Sequence, residues 1–388
     1  MDLETFDWLL GDDGQALLAA CAATPDGSPR HSGPRPEQLP GATPDRLAAA
    51  RTQVDLRARA RAKLGADADR LWFTRDGLEQ ATRARVAEHR SARLVAFGAT
   101  SLVDLGCGVG GDLLAAARAG LTCVGVDVDP LRVAVARANL AALGLPGAVS
   151  VADATTLDLS PFDVAFADPA RRTGAGRSFR VEEWTPSWSF VERLLRRDAC
   201  VKAAPGLPHD RVPDGVEAEW VSDAGEVKEV ALWSGALATT ARRATVVRDA
   251  GLATLDDQDP TSDDVRGTGS YLYEPDGAVI RAGLVTTVSA LVEGGRIDPH
   301  LAYVTSEVHR PTPFARAYRV LEELPYREKP LRAALRERGV GRLTIKKRGV
   351  EVVPEQLRPR LRLQGERGAT LVLTRVAGRG TALLVDPL

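Results

Sequence analysis

The segment Val103-Asp-Leu-Gly-Cys-Gly-Val-Gly-Gly-Asp112 restricts what this chain can fold into more than any other stretch. An apolar run, Leu102–Leu105, leads into four glycines within six residues, and a helical stretch, Asp112–Ala119, follows. A turn this tight, with backbone brought close to a ligand, needs residues without a Cβ. The helix N-terminus behind it presents free N–H groups and the positive end of a dipole. Further short β-like runs (Thr122–Val128, Val149–Ala152, Phe162–Ala167, Ala199–Ala204) alternate with helical stretches (Pro130–Leu143, Pro186–Arg197). Gly120 and Gly144 stand where helix C-caps belong. Strand–helix alternation of this kind predicts an α/β fold with a parallel, doubly wound, Rossmann-like sheet.

The 388 residues are enough for two or three domains. Residues 1–98 read as an N-terminal helical region: Gln15–Ala23, Pro44–Leu64 and Gly77–Phe97 are apolar or Ala-rich, and the Pro/Gly/Ser-rich Thr24–Thr43 separates the first two. Residues 99–265 form the α/β core. In it, Glu217–Ser222 and Val227–Trp233 lack a helix between them and are expected to pair antiparallel at the sheet's edge. The acidic Asp249–Val265, with Pro260, reads as a linker or surface loop. Residues 266–388 look like a small C-terminal α+β domain: a mixed stretch Ser270–Val320, a basic helix Lys329–Arg338 ending at Gly339, and strands Leu343–Lys347, Arg360–Leu363, Thr370–Arg375 and Ala382–Val385.

The formal net charge is −1, so overall charge names no polyanionic partner. Its distribution is uneven. From Arg310 to Arg362 there are 15 Lys and Arg against 6 Asp and Glu, an excess of 9 that leaves −10 on the remainder. Such asymmetry marks a candidate nucleic-acid face. Cys21, Cys107, Cys123 and Cys200 form no C-x-x-C pair, and neither they nor the five histidines show metal or triad spacing, so no metal is expected. Scattered thiols suit a reducing compartment, and no apolar run reaches the roughly 18 residues of a membrane span. With an acidic N-terminus that lacks a basic n-region, the expectation is a cytoplasmic protein without a signal peptide and without a membrane partner.

The glycines satisfy two patterns. Gly106, Gly108 and Gly111 match the G-x-G-x-x-G of dinucleotide sites. Gly106, Gly108 and Gly110 match a G-x-G-x-G that serves S-adenosylmethionine. The acids around them separate the two. Asp104, two residues before the first glycine, is placed to meet a cationic amino group, and Asp104 with Asp112 would repel a pyrophosphate. Asp127 ends the next strand, where a carboxylate accepts hydrogen bonds from both ribose hydroxyls. Asp153-Ala154 ends the third strand, at the place for an adenine amine. Asp168-Pro169-Ala-Arg171 ends the fourth.

In that order, the run from Val103 to Arg172 resembles the core of class I S-adenosylmethionine-dependent methyltransferases. The resemblance implies S-adenosylmethionine as cofactor, held by Asp104, Gly106, Gly108, Gly110, Asp127, Asp153 and Ala154, and a transfer site at Asp168, Pro169 and Arg171. Asp168-Pro-Ala-Arg resembles the D-P-P-x or N-P-P-x motif of RNA and DNA base methyltransferases, in which the Asp or Asn holds an exocyclic amine. The motif departs from that pattern by placing Arg171 where an aromatic would stack on the base. The Asp-Pro-x-Arg form is similar to that of uracil-C5 RNA methyltransferases, which need a nucleophilic cysteine. Cys200 is the candidate here, but it lacks that family's surrounding pattern and reads better as core. Amine methylation is therefore preferred, with Trp184 or Trp188 as substitute stacking partners. Leu71-Trp-Phe-Thr-Arg75 and the helix from Leu78 to His89 resemble the entry segment of cap trimethylguanosine synthases, which methylate the guanine N2 amine.

The C-terminal third resembles the tail of actinobacterial methyltransferases that carry a THUMP-like domain, through Tyr271-Leu-Tyr-Glu-Pro275, Ile280-Arg-Ala-Gly283, Leu343-Thr-Ile-Lys-Lys-Arg-Gly349 and Pro354-Glu-Gln-Leu-Arg358. True THUMP domains bind structured RNA, so the resemblance implies an RNA substrate, transfer or ribosomal. Lys346, Lys347 and Arg348, with Arg342, Arg358, Arg360 and Arg362, would form a phosphate-tracking patch, and Arg172 would contact RNA beside the transfer site. The two competing readings are a methyltransferase acting on a small molecule or a protein, and a non-catalytic RNA-binding protein with a vestigial core.

Overall fold

The computed structural model describes residues 1–23, 36–171 and 184–388, with the backbone alone of Ala170 and Arg171. Two compact units emerge. The first comprises Met1–Ala203, Leu207–Val216 and Ala231–Ala238, and the second Ala204–Gly206, Glu217–Val230 and Thr239–Leu388.

The first unit opens with helices α1 (Leu3–Leu10), α2 (Asp12–Ala23) and α3 (Pro44–Leu64). Two of them start on sequence signals: the Asp2 side chain caps α1 at Thr5 N–H, and Thr43 caps α3 ahead of Pro44. Where one helix is expected over 77–97, the chain forms two, α4 (Arg75–Gln80) and α5 (Ala84–Ala96). Helix propensity does not stop α4. The Lys63 ammonium, reaching over from α3, donates to the carbonyls of Leu78 (2.8 Å), Glu79 (2.7 Å) and Ala81 (3.4 Å), capping the end of α4.

The sheet follows: β1 (Ser101–Leu105), α6 (Gly111–Arg118), β2 (Thr122–Asp127), α7 (Pro130–Leu143), β3 (Ala148–Val151), β4 (Val164–Ala167), the short pair β5 (Ala170–Arg171) and β6 (Trp184–Thr185), α8 (Trp188–Leu194), and β7 (Ala199–Ala203). Strands run β7-β4-β1-β2-β3 in parallel register. This is the doubly wound core, with β1 central and its carboxyl end pointing at the glycine turn. Gly144, left-handed at φ 65°, terminates α7 as expected.

Amide side chains tie the helical region to this core. Leu71, Trp72 and Phe73 are buried. Asn139 of α7 accepts from Trp72 N–H (2.7 Å) and donates to the carbonyls of Trp72 (3.1 Å) and Val109 (2.8 Å). Gln53 of α3 makes a reciprocal pair with Phe73 (2.6 and 3.1 Å). The segment resembling a substrate-entry element is thus fixed by its backbone, with its aromatics packed inward.

In the second unit, β8 (Glu217–Asp223) and β9 (Glu226–Ser234) are neighbours across the turn at Ala224-Gly225, although β9 crosses into the first unit for its last residues. They are not at an edge: β10 (Arg242–Arg248) joins β8 in parallel and β11 (Gly251–Asp256) pairs antiparallel with β10. The acidic stretch expected to be a linker therefore contains a strand. Its acids have partners, since Arg243 meets Asp256 at 3.4 Å and Arg242 meets Asp257 at 3.7 Å.

A second sheet of seven strands runs β13-β14-β12-β15-β18-β17-β16, built from β12 (Tyr271–Pro275), α9 (Gly277–Ala282), α10 (Val285–Leu291), β13 (Gly295–Arg296), β14 (Val304–Ser306), β15 (Ala315–Leu324), α11 (Glu328–Glu337), β16 (Val340–Lys347), α12 (Pro354–Leu361), β17 (Arg367–Val376) and β18 (Arg379–Pro387). Residues 360–363 are not a strand. Leu357 and Leu361 bury one face of α12 at helical spacing, and Pro359 sits in its last turn. The second unit begins well before residue 266, because β8, β10 and β11 cohere with α9.

Asn139→Ala is expected to lower unfolding free energy by about 2–4 kcal/mol, since it strands a buried N–H and two carbonyls. Arg59→Ala, which removes an exposed i,i+4 pair with Asp55, should change it by less than about 0.5 kcal/mol. Denaturant titration of both variants checks the contrast.

Candidate cofactor and methyl-transfer site

At the carboxyl ends of β1, β2, β3 and β4 lies a cavity of about 340 Å³. Gly106, Gly108, Asp104, Asp127, Asp153, Ala154 and Asp168 all line it, together with Gln80, Ala81 and Thr82 from the α4–α5 break. Gly106 (φ 88°) and Gly108 (φ 55°) are left-handed, and a Cβ on either would meet nothing within 4 Å. The missing side chains therefore leave open space facing the cavity. Gly110, also expected to touch the cofactor, does not line the cavity; it starts α6 at φ 91° and packs against Ala136.

Both Asp127 oxygens accept a backbone hydrogen bond, one from Gly108 N–H (3.0 Å) and one from Asp129 N–H (3.0 Å). That fixes the carboxylate and leaves a lone pair on each oxygen. Arg132 stands 4.0 Å away. Asp153 accepts from the N–H (2.9 Å) and hydroxyl (2.7 Å) of Thr155 through Oδ1, which holds its carboxyl below the usual range.

Asp104 differs from the others. It is only 1% exposed, and its Oδ1 has no hydrogen-bond partner. Burial, reinforced by the negative charge of Asp168, pushes its carboxyl up to about 7, against the opposing pull of Arg90 and Lys202. A buried carboxylate oxygen with no donor, facing a cavity, fits a ligand that brings its own cationic donor.

Asp112 does not repel anions as the sequence suggested. Arg90, buried in α5, forms an ion pair with it, and the Thr82 hydroxyl donates to it at 2.7 Å. The Arg90 guanidinium also lies 4.6 Å from the Phe166 ring centroid, another lining residue. Sequence reading also missed Gly77: a Cβ there would come within 2.4 Å of Val109 Cγ1, so α4 lies directly against the glycine turn only because residue 77 has no side chain.

At the end of β4, Asp168 Oδ2 lies 2.5 Å from Lys202 Nζ of β7, a partner not foreseen. Pro169 follows it. The backbone of Arg171 pairs with Trp184 in β5–β6; its side chain, and the whole of Arg172, lie outside the described residues. Thr185 and Pro186, joined by a cis peptide, line the cavity. Trp184 is buried edge-on against Trp188 (centroids 5.2 Å, 85°), so Trp184 offers no free face for a base. Cys200 is wholly buried on β7. Cys107, at the glycine turn, is held as a thiol by burial and the charges of Asp104 and Asp127.

In the second unit, the expected basic patch divides. Lys346 meets Glu274 (2.6 Å), which also accepts from the Tyr318 hydroxyl (2.9 Å). Burial would raise the Glu274 carboxyl, but Lys346 and Tyr318 outweigh it and hold it low. Arg348 lies over the Tyr303 ring at 5.4 Å. Arg358 donates to Leu343 O, and Arg360 faces Glu328 at 3.5 Å. Lys347 and Arg342 are both exposed, but five residues apart on a strand where successive side chains alternate they lie on opposite faces of it. Lys346 and Arg348 are thus parts of the domain's own packing.

Residues 102–172 match the model of a methyltransferase domain, residues 315–387 that of a THUMP domain-like family, and residues 2–60 that of a domain of unknown function. Two Mycobacterium tuberculosis proteins, from strains CDC 1551 and H37Rv, are each 38% identical over 335 residues, covering 83% of this chain and 90% of theirs. Both are described as S-adenosylmethionine-dependent methyltransferases. The chain belongs to the S-adenosylmethionine-dependent methyltransferases. A crystal structure from Porphyromonas gingivalis W83, described as a methyltransferase, shares the fold over 96% of this chain and 98% of its own at a TM-score of 0.71 and 21% identity. No helix among the described residues is long and apolar enough to cross a membrane.

Cofactor affinity should depend on pH. Below about pH 7 the free site carries a proton on Asp104 that a cationic ligand group must expel. The dissociation constant for S-adenosylmethionine is therefore expected to rise about tenfold per unit as pH falls from 7 to 5, and Asp104→Asn to weaken binding and flatten that slope. Calorimetric titration across this range decides it.

Proposed function

We propose that this methyltransferase modifies an exocyclic base amine in transfer or ribosomal RNA. The observation that carries the reading is Asp168: its carboxylate ends β4 on the cavity shared with Asp104, Asp127 and Asp153, and its side chain is a third exposed.

When bound, S-adenosylmethionine supplies an electrophilic methyl group on a sulfonium. Asp104 would receive the cofactor's amino group, Asp127 its ribose hydroxyls, and Asp153 with Ala154 its adenine. Gly106 and Gly108 let the backbone approach, while Gly110 acts through the turn. At the acceptor end, Asp168 accepts a hydrogen bond from the base amine, aims its lone pair, and takes up the proton the nitrogen sheds on alkylation; Pro169 fixes the carboxylate's direction. Ring-carbon methylation through Cys200 is disfavoured, because a wholly buried thiol does not reach a pyrimidine.

The RNA assignment rests on the THUMP-like family match and on the exposed cations of the second unit. Lys347 and Arg342 are proposed to contact phosphates; Lys346 and Arg348 are not, being engaged with Glu274 and Tyr303. Arg171 and Arg172 remain proposed contacts beside the transfer site.

Purified protein should move labelled methyl groups into RNA from a strain lacking it, and Asp168→Ala should lower that rate by about 10²–10⁴-fold while cofactor binding survives. Label found solely in small molecules or protein would sink the RNA assignment. Combined Arg342→Ala and Lys347→Ala should weaken RNA binding and reduce its salt slope by about 2, whereas Lys346→Ala should lower thermal stability and leave the slope unchanged.

A further inference from the structure

Lys202 bridges two groups that line the cavity from different elements. Its ammonium is 2.5 Å from Asp168 Oδ2, just past the end of β4, and 3.5 Å from the carbonyl of Gln80, at the end of α4. Its side chain is 15% exposed, so the contact is largely shielded from solvent. Asp168 shares the pocket with a second carboxylate, Asp104, on the adjacent strand β1. Asp104 is buried without a hydrogen-bond donor, whereas Asp168 Oδ2 is held by Lys202. An amine needs a hydrogen-bond acceptor of fixed direction, and Oδ1 is the Asp168 oxygen that Lys202 leaves open.

We propose that Lys202 is a positioning residue for methyl transfer: by clamping Asp168 Oδ2 against the Gln80 carbonyl it fixes the direction of that carboxylate and reserves Oδ1 for the acceptor. The inference rests on the reading of Asp168 as the acceptor-holding group. Among the described residues, Lys202 is the hydrogen-bonded partner of the Asp168 side chain.

The clamp also sets the class of acceptor. An Asp168 already neutralised by Lys202 has no net charge to draw an alkylammonium, and Lys202 repels one. A lysine side chain of a protein is cationic at neutral pH, whereas the exocyclic amine of a base is neutral and asks only for a hydrogen-bond acceptor. The pair therefore favours a neutral aryl amine over an aliphatic one.

The test uses the full chain and needs no acceptor for its first arm. S-adenosylmethionine affinity is measured by calorimetry from pH 5.5 to 8.5 for wild type, Lys202→Met and Lys202→Arg. At pH 8.5 both variants should bind the cofactor within about 3-fold of wild type, because the clamp serves the Asp168 end of the cavity. A loss of 10-fold or more in Lys202→Met at that pH would place the lysine in cofactor binding and overturns the proposal. If Lys202→Met does not fold, Lys202→Gln provides the same comparison. In the second arm, methyl transfer to RNA from a deletion strain should lose 10-fold or more in kcat with Lys202→Met at little change in KM, and Lys202→Arg should recover most of it. A rise in KM with kcat unchanged, or no recovery with Lys202→Arg, would mean a merely structural lysine and overturns the proposal. An Asp168→Asn variant with full activity removes the Asp168 reading itself, whereas a wild-type rate in Lys202→Met beside an inactive Asp168→Asn removes the clamp alone.

Discussion

A carboxylate buried without a donor is expensive, and Asp104 is one. Raising its carboxyl from 3.8 to about 7 corresponds to about 4 kcal/mol of disfavoured ionisation. For an acid whose folded value lies above its unfolded one, that cost is absent at low pH and complete above pH 7. A free fold therefore carries it at neutral pH, and a cation brought into the cavity removes it. The rest of the first unit is arranged to sustain this position. β1 is flanked on both sides by parallel strands, its carboxyl end meets the glycine turn, and α5 closes over it through Arg90.

Sustaining it requires a wall that does not give way to water. The helices before the sheet supply that wall, through polar clamps on backbone atoms more than through side-chain packing alone. Asn139 and Gln53 hold the segment 72–73, Lys63 ends α4, and Gly77 lets α4 touch Val109. The consequence is that Ala81 and Thr82, which any local reading assigns to the middle of a helix, line the cavity outside any helix, beside Gln80 at the end of α4.

These details mark where sequence reading stops. The strands, the glycine turn and the acids at the strand ends were legible because each is a local pattern: a period, a φ requirement, a residue at a fixed offset. Lys63, Arg90 and Lys202 were not, because their meaning lies in partners 15 to 34 residues away in sequence. Lys346 was misread for the same reason at longer range. Its partner Glu274 is 72 residues distant, and without it a lysine on a basic strand looks like a phosphate ligand. The break at 81–83 and the strand at 251–256 were missed because tertiary contacts override local composition there.

Charge in the cavity is distributed unevenly, and that bears on both of its ends. Asp112 is answered by Arg90 and Asp168 by Lys202, while Arg132 stands near Asp127. Asp104 alone among these is buried with an oxygen that no hydrogen-bond donor reaches. A uniformly acidic cavity would draw cations anywhere along it, including at the acceptor end, where a cationic amine has no free lone pair to receive a methyl group. Pairing Asp168 and leaving Asp104 open restricts the attraction for positive charge to the Asp104 end, which suits the proposed reading of a cation at one end of the cleft and a neutral amine at the other.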